Sequence, residues 1–179
     1  MEHPEMSWID VLKHVAGFGG TTMEIGAKDC IDTARLIGMG ANVIAVDNFP
    51  LTLQQTTNEH NGGLGADMAR MPLQDASVNT VFAANVLGLV WGSGNLQPAL
   101  DETARVLKTD GHLVATVNFN SPLGSPRSEE NKNGLKDYLL QQVQARGLTV
   151  KQGDFVTIPD TNLPWDPENE YLLIEAVKK

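Results

Sequence analysis

The stretch TTMEIGAKDCIDTARLIGMGANVIAVD, residues 21–47, decides the fold. Thr21 to Gly26 reads as a strand closed by a glycine. Asp29 begins a helix that runs to about Met39 and ends on the stop signals Gly38 and Gly40. Val43 to Asp47 is an unbroken apolar run with an acid at its tip, as in a strand covered on both faces. Strand, turn, helix and buried strand in that order form a parallel β-α-β unit.

Outward from this unit the alternation continues in both directions. Ser7 to Ala16 puts Trp8, Val11, Leu12 and Val15 on one helical face, with Ser7 as N-cap. A short helix is expected after Pro50, a third strand over Leu64–Met68 and a fourth within Val78–Leu89. A helix over Gly94–Lys108, a turn at Thr109–Gly111 and a fifth strand over His112–Phe119 follow. Ser128 to Arg146 is amphipathic through Leu135, Tyr138, Leu139 and Val143, and the last two strands are Leu148–Ile158 and Glu170–Val177. The connection PDTNLPWDPEN between them, Pro159–Asn169, is too short for a crossover helix, so the final pair is predicted to be antiparallel. The expected architecture is α/β: one domain over residues 1–179, with an N-terminal helix and linker (1–20) and a mostly parallel sheet flanked by helices on both faces (21–179).

Composition narrows the function. No apolar run approaches the roughly 20 residues of a membrane span. MEHPEMSWID carries acids where a secretion signal would be positive, so a soluble, cytoplasmic protein is expected. One cysteine, Cys30, excludes an internal disulfide or a multi-thiolate metal site. A net charge of −9 without a basic cluster argues against nucleic acid as a partner.

Ligands of open parallel sheets lie beyond the carboxyl ends of the strands, so the residues just after each strand are the candidates. After the first come Gly26, Ala27, Lys28, Asp29 and Cys30. Asp47 ends the second, and its carboxylate suits a ribose diol or serves equally as a turn or N-cap carboxylate. Asn85 and Trp91 follow the fourth strand, and Asn118 and Asn120 the fifth. Asp160, Trp165, Asp166 and Glu168 lie in the last connection at the same end, either as substrate contacts or as an acidic solvated loop. His60 and His112 fall at the amino ends and are expected on the surface; His3 is near the terminus.

These residues resemble those of the class I S-adenosylmethionine-dependent methyltransferases, in particular a small branch similar to quinone-biosynthesis methylases. The likeness runs over Thr22–Phe119. It rests on Glu24 and Gly26 of the first loop, Asp47, Asp67 with Met71-Pro72, and Arg105-Val-Leu-Lys108 before Thr109-Asp-Gly111. The resemblance implies a Rossmann-like sheet of seven strands in the order 3-2-1-4-5-7-6, with the seventh antiparallel, and S-adenosyl-L-methionine as cofactor. It implies cofactor contacts from Glu24, Gly26, Lys28, Asp47, Asn48, Phe49, Asp67, Met68 and Asn85. Asp47 would take the ribose and Asp67 the adenine, while Asn48 or Phe49 would lie on the adenine face. Lys28 would sit near the amino-acid carboxylate, and Glu24 would orient the loop.

Each residue also has a plainer role: Asp67 as a solvated turn, Phe49 in packing, Glu24 bonding backbone amides, and Met39, Met68 and Met71 filling gaps. His14, on the helix the resemblance places near the cofactor, and Asp160 are the catalytic candidates; a metal is not implied.

Lys28 and Cys30 stand where the family has glycines, Gly88-Leu89 where it has Glu-His, and Asn79 where it has a strand-initiating acid. The function expected is methyl transfer to a small molecule, the alternative a non-catalytic binding or assembly module on the same fold. A nicotinamide oxidoreductase would need a pyrophosphate against the turn that holds Lys28. The short connections leave the site to be covered by a partner subunit, as in a homodimer.

Overall fold

The computed structural model describes residues 4–28, 30–48, 63–118, 129–159 and 170–179. Its elements are α1 (Trp8–Gly17), β1 (Thr21–Ile25), α2 (Ile31–Gly38), β2 (Asn42–Asp47), β3 (Gly63–Gly65), β4 (Val78–Ala84), α3 (Leu87–Gly92), α4 (Leu96–Val106), β5 (Leu107–Asn118), α5 (Glu129–Gln144), β6 (Leu148–Thr157) and β7 (Glu170–Lys178). The helix expected after Pro50 lies outside the described residues, as do Asp29, Phe49, His3, His60, Asn120, Asp160, Trp165, Asp166 and Glu168.

Ser7 caps α1 as its position implies: its hydroxyl accepts from the Asp10 amide at 3.1 Å and donates to the Asp10 carboxylate at 2.6 Å. The seven strands follow the order β3-β2-β1-β4-β5-β7-β6. All pairings are parallel except β5 with β7 and β7 with β6. Alternate side chains feed two cores. On one face Met23, Ile25, Val81, Leu113 and Ile174 meet α4 and α5 through residues such as Leu100 and Leu139. On the other, Val43, Phe82, Val114 and Leu173 meet α1 and α2 through Val11, Leu12, Val15 and Leu36. Burial on both faces is why the strands read as apolar runs without alternation.

Three expectations change, and one unexpected element appears. The third strand stops at Gly65 instead of Met68, because the Asp67 carboxylate takes the amide of Ala69 at 2.9 Å and its carbonyl takes that of Arg70 at 2.9 Å, a local turn that outcompetes strand pairing. The apolar run after β4 is the separate short helix α3, since Asn85 at φ 58° turns the chain out of the sheet. Thr109-Asp-Gly111 does not separate α4 from the fifth strand. It bulges within β5, between the pairs Val78↔Leu107 and Thr80↔His112, with Asp110 at φ 62°. His112 is half-buried, its ring stacked on Phe18 at 3.7 Å between centroids.

Asn79, where the family has an acid, keeps the acceptor role: its Oδ1 takes the Thr21 amide at 3.1 Å and Lys108 Nζ at 2.9 Å, joining the starts of β1 and β5. At the outer edge the first residues of the chain pair with the end of β6. Met6 donates to the Thr157 carbonyl at 3.0 Å, and the Thr157 amide to that of Pro4 at 2.9 Å. Between α5 and β7 lies an ion pair, Lys132 to Glu170, whose side chains are only 7% and 9% exposed.

Candidate cofactor site

The turn after β1 is bound to the tip of β2. The amides of Gly26 and Ala27 both donate to the Val46 carbonyl, at 2.8 and 3.2 Å. The Lys28 amide then donates to Oδ2 of Asp47 at 2.9 Å. Three consecutive backbone donors thus hold the turn against one strand end. Gly26 has φ 73°, and a Cβ there would meet Val86 Cγ2 at 2.3 Å, so only glycine fits between the turn and the residue preceding α3.

Lys28 (φ 43°) and Cys30 (φ 57°) adopt the left-handed conformation that glycines would take at the same positions. The backbone path of a glycine turn is therefore kept by side-chain-bearing residues, at a cost of about 1–2 kcal/mol each. The two side chains part: Lys28 is exposed, and Cys30 is buried with Ala27 and Ala45 under the start of α2.

Glu24 is buried beneath the turn and accepts the hydroxyl of Thr33 from α2. Asp47 is 8% exposed, whereas the next residue, Asn48, is exposed. Glu24, Gly26, Lys28, Asp47 and Asn48 are thus brought to one end of β1 and β2, and Asn85 to the adjoining end of β4. Asp67 is exposed just past β3, while Met68 and Met71 are buried in the core. His14 stands apart. Its Nε2 meets Glu175 Oε2 at 2.9 Å and its ring meets Phe18 edge-on, beside His112 at the amino end of the sheet, opposite the turn at Gly26.

Several participants are not visible in the sequence. Arg105, which opens the Arg105-Val-Leu-Lys108 motif, fastens the segment after Asp67. Its Nη1 donates to the Leu73 carbonyl and the Asp75 carboxylate at 2.8 and 2.6 Å, and its Nη2 donates to the Met71 carbonyl at 3.1 Å. Glu102 bonds the same guanidinium and also accepts the Met71 amide at 3.0 Å. The Arg105 guanidinium accordingly holds the Glu102 carboxyl below its usual value. Trp8 Nε1 donates to Asp32 at 3.0 Å, tying the start of α1 to that of α2. No signal short of three-dimensional pairing would find Val86 against Gly26. Among the described residues no group of three or more His, Cys, Asp or Glu side chains forms a metal site, and no helix is long and apolar enough to cross a membrane.

A parallel sheet with an antiparallel seventh strand and an acid at the tip of β2 beside a glycine turn is the frame of a nucleoside-binding transferase. A family model described as a methyltransferase domain matches residues 23–115, more than half of the chain, which therefore belongs to the S-adenosylmethionine-dependent class I methyltransferases. No curated protein matches it in sequence.

Solved structures share the fold. The N-methyltransferase NodS from Bradyrhizobium japonicum is 15% identical with a TM-score of 0.69, covering 95% of this chain and 93% of that one. The 1,6-didemethyltoxoflavin-N1-methyltransferase of Burkholderia thailandensis, solved with 1,6-didemethyltoxoflavin and S-adenosylhomocysteine, is 18% identical with a TM-score of 0.68, covering 96% and 76%. The [4+2]-cyclase SpnF is 16% identical with a TM-score of 0.68, covering 99% and 87%. At such identities the likeness is one of fold.

Proposed function

We propose that this protein methylates a small molecule, with S-adenosylmethionine seated across residues 26–28 and the tip of β2. The observation that carries this reading is the Lys28 amide bound to Asp47, which holds the bare Cα of Gly26 and a carboxylate side by side without glycines at positions 28 and 30. The residues suit the cofactor. Asp47 accepts the ribose hydroxyls and Asn48 flanks the adenine side with Asp67 and Met68. The exposed Lys28 ammonium pairs with the amino-acid carboxylate, and buried Glu24 steadies the turn through Thr33. When bound, S-adenosylmethionine supplies an electrophilic methyl group on a sulfonium sulfur. The chain itself contributes position and exclusion of water.

A small acceptor is supported by the charge of −9, which disfavours nucleic acid, and by the two N-methyltransferases of the same fold, one holding a small molecule. The second reading, a module that binds the cofactor without transferring its methyl group, is favoured by Gly88 and Leu89, which put no acid–base pair on α3.

Titration calorimetry with S-adenosylhomocysteine tests the site: Asp47→Ala is expected to weaken binding roughly 10- to 100-fold, the worth of hydrogen bonds to a charged group. Unchanged affinity would remove Asp47 from the site. Methyl-labelled S-adenosylmethionine added to a cell extract with the protein should then mark the small-molecule fraction. Label on macromolecules would overturn the small acceptor, and binding without any labelled product would favour the second reading.

A further inference from the structure

The segment that follows β3 carries Asp67 and Met68, and the strand itself holds it only weakly. β3 is three residues long, lies at the edge of the sheet and pairs with β2 alone. One further bond, the Ala66 amide to the Asp47 carbonyl at 2.9 Å, carries that pairing toward Asp67. A segment anchored by so few bonds belongs to the least stable part of a fold.

Its second anchor comes from α4. Met71 is taken at both of its backbone groups: its amide donates to Glu102 Oε2 at 3.0 Å, and its carbonyl accepts from Arg105 Nη2 at 3.1 Å. Arg105 Nη1 adds the Leu73 carbonyl at 2.8 Å and the Asp75 carboxylate at 2.6 Å, while Nε and Nη2 lock the guanidinium to Glu102 at 2.8 and 2.7 Å. A planar fork bonded along its whole length fixes direction as well as distance. Met68 and Met71 follow this anchor into the core, with 5% and 4% exposure.

Between the two anchors stands Asp67, exposed at the surface. Its Oδ1 accepts from the Ala69 amide at 2.9 Å, which leaves Oδ2 for a donor from outside. The bonds of Arg105 reach Met71, Leu73 and Asp75 but not Asp67, so the network acts on that carboxylate only through the chain between them. Fixing a contact group before the ligand arrives removes the cost of ordering it on binding.

Resting on the cofactor site proposed above, we infer that Arg105 and Glu102 are positioning residues for its adenine end: they preset the turn so that Asp67 Oδ2 meets the amino group of the base. A carboxylate accepts from an amino group, so one held in place tells adenine from a purine that lacks that group. A carboxylate free to swing loses the distinction, while the ribose contact of Asp47 stays.

The test is titration calorimetry of the whole chain with S-adenosylhomocysteine and with its purine analogue, which lacks only the amino group of the base. The wild type is expected to prefer S-adenosylhomocysteine about tenfold, the lower end of what a hydrogen bond to a charged group is worth. Asp67→Ala should abolish the preference. Arg105→Ala should remove most of it while S-adenosylhomocysteine still binds. Glu102→Ala, which releases the Met71 amide, should do the same and decides the matter if Arg105→Ala does not fold. A tenfold preference surviving in either folded variant, with both ligands weakened by one common factor, would reduce the network to a structural brace and overturn the inference. A wild type that binds neither ligand would strike the cofactor reading, and one that binds both equally would strike the place of Asp67 at the adenine; the inference falls with either.

Discussion

The Lys28 amide and the Asp47 carboxylate, 2.9 Å apart, make the turn after β1 and the tip of β2 a single unit. The turn is set by what β2 offers it, not by its glycine content, so residues at two glycine positions can carry side chains and keep the path.

That path has a measurable cost. Lys28→Gly removes an exposed side chain from a left-handed position, trading about 1–2 kcal/mol of strain for about 0.5–1 kcal/mol of added chain entropy. Urea unfolding should show the variant about 0.5–1 kcal/mol more stable than the wild type, while calorimetry shows weaker S-adenosylhomocysteine binding from loss of the ammonium. Cys30→Gly relieves the same strain but loses the contacts with Ala27 and Ala45, so its stability should change little.

Gly26→Ala drives a methyl group into Val86 Cγ2 and should destabilise the fold by about 1–3 kcal/mol. Adding Val86→Ala is expected to recover only part of the loss, because the positive φ of 73° still disfavours alanine. Full recovery in thermal melts would mean that the clash alone matters.

The Arg105 network carries a pH signature. The Glu102 carboxyl titrates near its ordinary 4.5 in the unfolded chain and lower in the folded one, held down first by its hydrogen bond from Arg105. The unfolded chain therefore binds more protons between those two values, and stability falls as pH drops through that window. This contribution is complete above 4.5. Arg105→Ala should flatten the acid limb of a stability-against-pH curve and speed amide exchange over residues 71–75, where it holds the Met71 and Leu73 carbonyls and the Asp75 carboxylate.

Lys132 and Glu170 are a buried pair whose value depends on both members. Lys132→Met alone should cost about 3–5 kcal/mol by removing the cation that faces a buried carboxylate, whereas the double variant with Glu170→Leu should come back near the wild type. A single variant as mild as the double one in urea titration would show that the carboxylate does not depend on Lys132.

What the sequence disclosed follows from which forces are local. Val43–Asp47 and His112–Phe119 were legible as parallel strands because burial on both faces leaves an unbroken apolar run. The length of Pro159–Asn169 alone dictated an antiparallel end to the sheet, as found for β6 and β7. Leu87–Gly92 was not legible as a helix, since six mostly apolar residues carry too little periodicity to separate it from the end of β4. Asp67 ended its strand through a side-chain bond that competes with pairing on nearly equal terms. At the candidate site, Asp47 and Gly26 were visible by position. The left-handed backbone of Lys28 and Cys30 was not, because it goes with the Lys28 amide bond to Asp47 of β2 and the Cys30 amide bond to Ala27 inside the turn, and with nothing in the residue types. His14 lies away from Gly26 because α1 meets the start of α2 with its first turn, through Trp8 and Asp32, and reaches Glu175 with its last.

The pairing of Pro4 and Met6 with Thr157 reaches beyond the fold itself. A long outermost strand with open amides is a template on which further copies can add without limit. Here the chain's own opening residues occupy the end of that rail, and the irregular register between Val150 and Gln152 bends its middle. Trimming those residues should therefore first appear as concentration-dependent clumping, before any loss of heat resistance.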